Sequence, residues 1–126
     1  MTLVEFLKAR LDEDEQMARR ATAVSPAPWR VDAAAGAVRD VHGAAVSGHW
    51  RALAALAGTV APDHIVRHDP ARVLAEVGAK RWLVDRAVHV MAHATNHAEV
   101  TAWLHVIQRL ASVHADHPDY QQGWCP

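Results

Sequence analysis

The sequence predicts a mainly α-helical chain with a small antiparallel β-hairpin, an α+β fold. Three observations carry that expectation. Apolar residues recur at helical spacing over 2–22, 70–95 and 97–115. Between the first two of these stretches lies a short alternating segment punctuated by glycines. Prolines at 26 and 28 separate it from the opening helix, because each disfavours helical geometry in the residue before it. With 126 residues, 13.8 kDa and 51% hydrophobic side chains, the chain has the size and apolar content of one domain over 1–126. Its expected parts are an N-terminal helix (1–24), a two- or three-stranded hairpin (25–48), helices (49–115) ending in an antiparallel helical hairpin, and a tail (116–126).

The opening helix has a start signal in Thr2 and Glu5, spaced as a capping box. Leu3, Val4, Leu7, Leu11, Ala18 and Ala21 share one face, with Phe6 and Met17 as a flanking stripe. Asp14 falls inside the apolar arc, where Arg10, one turn earlier, is its expected partner. In the hairpin, Trp29-Arg30-Val31 alternates, Gly36 offers a turn, 38–41 is strand-capable, and His42-Gly43 offers a second turn. Such a small sheet needs a helix to pack on. The alanine-rich stretch from 49 to 60 reads as a short helix stopped by Gly58 and Pro62. Asp69-Pro70 then combines a favoured cap with a favoured first helical residue. The following helix presents Val73, Val77, Val84, Ala87, Val88 and Met91 as its core stripe. Asn96, three residues before Glu99, restarts the chain after a break near Thr95. The last helix is expected to bury Val100, Trp103, Leu104, Ile107, Leu110 and Ala111 and to run to about Ala115. A short linker favours an antiparallel pair, and the tail reads as non-helical.

Composition excludes several function classes. Net charge is −1, which argues against binding nucleic acid through bulk positive charge. A nucleic-acid-associated accessory role remains as a second alternative, with steeply salt-dependent binding as its signature. No apolar run approaches the ~20 residues of a membrane span, and the acidic opening residues do not resemble a secretion signal. The single cysteine, Cys125, rules out a disulfide framework and suggests a reducing, cytoplasmic setting. No phosphate loop, nucleophile elbow or His-Glu-x-x-His run is present, so no catalytic residue is assigned.

Ten histidines are the compositional oddity. His89, His93 and His97 form a ladder at spacings of four, as a two-histidine metal site requires. The outer two stand about 12 Å apart along a helix, too far to share one ion. The ladder also lies opposite the core stripe, together with Trp82 and Arg86. An aromatic among histidines and an arginine is a composition found at interface centres. Two further polar clusters stand out. His64, Arg67, His68, Asp69 and Arg72 surround a helix start, where backbone N–H groups attract anions. His114, Asp116, His117 and Tyr120 follow the last helix, with His114 on its apolar side. An antiparallel hairpin is expected to bring these two clusters together, either as a ligand site or as a polar lock for the tail.

Four blocks, LVEFLKARLDEDEQMARRA, APWRV, HIVRHDPARVLAEVGAKRWLVDRA and ADHPDYQQGWCP, resemble a family of small actinobacterial and phage-encoded domains of unknown function. HDPARVLAEV and ADHPDY are the most specific of these, and the histidine-rich stretch from 89 to 114 lies outside the resemblance. The resemblance implies no activity, and it directs attention to residues 64–72 and 116–120. The expected function is therefore that of a non-enzymatic protein-interaction or accessory module, with a protein partner or self-association as a homodimer. The alternative is a histidine/aspartate metal-binding protein or metal-dependent hydrolase holding zinc or another divalent transition metal.

Overall fold

A computed structural model describes residues 1–47 and 60–126. Among these, α1 (Leu3–Val24) is followed by strands β1 (Arg30–Asp32), β2 (Ala37–Arg39) and β3 (Ala45–Ser47). Helices α2 (Val60–Arg67), α3 (Pro70–His93) and α4 (His97–Ser112) come next, with a 3-10 turn at Gln122–Trp124. The α+β expectation holds. The alanine-rich helix expected over 49–60 lies outside the described residues except at its last position. The chain divides into two compact units, one of 1–13 with 76–126 and one of 14–75.

In the first unit, the capping box forms as the sequence implies. Glu5 accepts from the Thr2 N–H at 2.7 Å, and Thr2 Oγ1 accepts from the Glu5 N–H at 3.2 Å. The Thr2 backbone N–H, and after it the Thr2 hydroxyl, hold the Glu5 carboxyl below the ordinary glutamate value. Leu3, Phe6, Leu7 and Leu11 of α1, Val77, Val84, Ala87 and Val90 of α3, and Ile107 and Ala111 of α4 are all buried. A small cavity is lined jointly by Lys80 and Val84 of α3 and by Arg109 and Leu110 of α4. Residues well before and well after the 94–96 link thus meet, so the two helices run antiparallel. Asn96 caps α4 by accepting from the Ala98 N–H at 3.0 Å.

Packing departs from the expected stripes at four places. Phe6, read as flanking, is 0% exposed and is ringed by the tail. Its ring meets His114, His117 and Tyr120 edge-on at centroid distances of 6.2, 5.6 and 5.9 Å, and Trp124 at 5.1 Å. Arg10, the expected partner of Asp14, instead lies over the Phe6 ring and donates to Glu13 and to His117 Nε2. Beyond its first turn, where Pro70 is buried, α3 buries Val77, Val84, Ala87 and Val90, while Val88 is exposed. Steps of three fall short of a full turn, so the covered face rotates around the helix toward its C-terminal end. On α4, Leu104 is exposed and Val100, Trp103 and Leu110 are only half-buried. The helix also stops at Ser112 rather than near Ala115, and the tail closes with its 3-10 turn.

In the second unit the strands pair antiparallel in the order β1-β2-β3, with Val31 opposite Val38. Val38 pairs with Ser47 and Arg39 with Ala45. Val46 is therefore the extra residue of a bulge. The two turns need a left-handed backbone, supplied by Gly36 at φ 61° and Gly43 at φ 81°. Arg39 donates to Asp32 at 2.6 Å and to the Gly43 carbonyl at 3.0 Å. The guanidinium, and after it the Ala35 N–H, hold Asp32 below the ordinary aspartate value. The sheet does pack on a helix, since α2 lies against β1 and β2. That helix was not expected as a separate element. Pro62, read as a stop, sits in its first turn, where a missing N–H costs no helical hydrogen bond. Asp69 caps α3 as expected, its Oδ1 accepting from the Arg72 N–H at 3.0 Å and its Oδ2 from the Trp29 N–H at 3.4 Å.

Candidate interaction surface

Among the described residues, none covers one face of helix α3. Gly78, Ala79, Trp82, Arg86, His89 and His93 recur at spacings of three and four, and every one of them is exposed. Trp82 retains 64% of its surface, a large apolar area for a residue flanked by a glycine and an alanine one turn away. Gly78 is the informative neighbour. A glycine within a helix costs about 0.5–1 kcal/mol relative to alanine. A Cβ added at Gly78 would meet nothing within 4 Å among the described residues, so packing among them does not require the glycine. Charges border the face: Asp85 lies 3.5 Å from Lys8, and Arg81 donates to Asp12 at 2.6 Å. Arg86 has no side-chain partner among the described residues.

The histidine ladder is shorter than its sequence spacing suggests. His89 and His93 stack with ring centroids 4.5 Å apart, and His93 Nδ1 donates to the His89 carbonyl at 2.8 Å. His97 belongs to α4, beyond the break that Asn96 caps. Helical spacing therefore does not continue from His93 to His97. Among the described residues no group of three or more His, Cys, Asp or Glu side chains is arranged to hold a metal ion.

The two polar clusters fall in different units. In the second unit, His64 and His68 stack at 4.4 Å, with His68 Nδ1 donating to the His64 carbonyl at 2.9 Å. Asp69 serves as the helix cap, and Arg67 and Arg72 are exposed. In the first unit, His114, His117 and Tyr120 close on Phe6, while Asp116 is exposed. The tail's ring residues thus fasten it to α1.

Trp82 and Arg86 were legible as a surface pair from the helical wheel. Gly78 was not singled out, although a glycine four residues before an outward tryptophan is the signal that would have found it. The model for a family of unknown function (DUF6221) matches residues 1–126. No curated protein and no solved structure matches the chain. Among the described residues no helix is long and apolar enough to cross a membrane.

Proposed function

Because this chain belongs to a family of unknown function (DUF6221), its role rests on its own surface, and we propose that it is a non-enzymatic interaction module that pairs with a second copy of itself through the outward face of α3. The supporting observation is the juxtaposition of an exposed tryptophan with a glycine that packing among the described residues does not need. Two antiparallel copies of α3 related by a two-fold axis would place each Trp82 over the Gly78 of the other. A self-complementary patch of this kind is what a symmetric dimer requires. The glycine permits the backbones to approach, and the indole supplies buried apolar area with few rotamers to freeze.

One helix face makes a small interface, at the low end of the range for specific association. The expected dissociation constant is therefore on the order of 10 μM. Sedimentation velocity of the full chain tests this. The weight-average mass should rise from 13.8 kDa toward twice that value as concentration increases. Trp82→Ala should remain monomeric over the same range, with folding stability within about 0.5 kcal/mol because the side chain is exposed. A wild-type chain that stays monomeric up to ~1 mM contradicts the proposal.

A further inference from the structure

The second unit contains a cavity of about 320 Å³ that the α3 surface does not involve. Apolar groups from α1 and the first turn of α3, among them Met17, Ala21 and Val73, form most of its wall. Three residues bring other chemistry to it: Asp14, Trp29 and His68. The volume lies at the small end of the range for organic ligands, roughly 300–1,000 Å³.

The polar groups of this cavity are acceptors. Asp14 is half-buried, and its carboxylate has no side-chain partner among the described residues. Trp29 donates its indole N–H to the Ser25 carbonyl at 2.7 Å, so its free feature is the ring face. His68 donates through Nδ1 to the His64 carbonyl, which leaves Nε2 as an acceptor on the neutral ring. No lysine or arginine is among the lining residues. A ligand that satisfies these groups must supply donors and positive charge, along with an apolar body for the walls.

We infer that this cavity binds an organic ammonium group carried on an apolar stem. Asp14 supplies the charge-assisted hydrogen bond. The Trp29 ring supplies an electron-rich face for the cation, and Met17, Ala21 and Val73 enclose the stem. A free amine and a lysine side chain share this chemistry. The inference is independent of pairing through α3 and survives if that pairing fails.

The test is a titration of the full chain followed by proton–nitrogen correlation spectra, reading the Trp29 indole resonance assigned with Trp29→Phe. Four probes are compared: 2-phenylethylammonium, the N-acetyl methylamide of lysine, 2-phenylethanol and 3-phenylpropionate. The ammonium probes should shift the Trp29 indole saturably, and the carboxylate should not. Tighter binding of 2-phenylethylammonium identifies a free amine as the ligand, and tighter binding of the lysine derivative identifies a protein side chain. Asp14→Asn should weaken binding of the ammonium probes by roughly tenfold, the loss of one charged hydrogen bond. Ala21→Leu, which fills the cavity without touching a charge, should abolish the shift and keeps the test decisive if Asp14→Asn does not fold. Equal binding by 3-phenylpropionate, unchanged affinity in both variants, or no shift from either cation up to ~50 mM overturns the inference.

Discussion

Phe6→Ala is expected to lose about 3–5 kcal/mol of folding stability, a large share of the ~5–15 kcal/mol typical of a domain. The ring is fully buried, and its removal takes away more than its own transfer energy. Four tail rings, from His114, His117, Tyr120 and Trp124, rest on it, and the Arg10 guanidinium lies 5.3 Å from its centroid. Removing Phe6 leaves a cavity beneath these rings, which adds to the lost transfer energy. The tail is also held by a hydrogen bond from Gln121 Nε2 to the Met1 carbonyl at 3.0 Å. That exposed bond is too weak to keep the tail docked alone. Urea unfolding followed by circular dichroism measures the loss as a lower midpoint. Met17→Ala, at a site that is 65% exposed, serves as the matched control and should move the midpoint little. A Phe6→Ala chain destabilised by less than ~1 kcal/mol would mean that the tail rings do not depend on Phe6.

Asp40→Ala is expected to cost about 2–4 kcal/mol, acting in the other unit. Asp40 is 2% exposed, and its Oδ1 accepts from the backbone N–H groups of both His42 and Ala44 at 2.9 Å. Its main chain closes the same turn, donating to the Ala44 carbonyl at 2.9 Å and accepting from the Gly43 N–H at 3.0 Å. Alanine would leave two turn N–H groups without their acceptor, and hydrogen bonds to a charged group are worth about 1.5–3 kcal/mol each. Asp40→Asn keeps an oxygen where Oδ1 stands, so it should cost less than half as much. The comparison of unfolding midpoints for the two variants checks this. Equal losses would show that charge, rather than acceptor geometry, holds the turn.

Local chemistry made much of the fold legible. Thr2 with Glu5, Asp69 with Pro70, Asn96, Gly36 and Gly43 each state a backbone requirement within a few residues, and each element boundary they mark is present. The buried face of α3 was less legible because it rotates. Val90 is covered and Val88 is not, which depends on what packs against each turn rather than on a fixed period. Phe6 was misplaced for a related reason. Its cover comes from residues more than a hundred positions away, and no short-range pattern announces a ring cluster between an N-terminal helix and a C-terminal tail. Arg10 likewise turns toward Glu13 and His117 because the tail offers it an acceptor. Among candidate surface residues, Trp82 and Arg86 followed from the helical wheel alone. Asp14, Trp29 and His68 could not be grouped from sequence, since three separate segments bring them to one cavity.

Gly78→Ala is the measurement that bears most directly on pairing through α3, because two opposing effects are read from one chain. Alanine restores helix propensity at an exposed site where its Cβ has open space, so folding stability should rise by about 0.5–1 kcal/mol. The same methyl group separates the backbones where Trp82 of one copy would meet the glycine of the other, so self-association measured by sedimentation should weaken by at least roughly tenfold. A more stable chain that associates less is the predicted result. A more stable chain that associates as tightly as the wild type would show that the glycine plays no part in bringing two copies together.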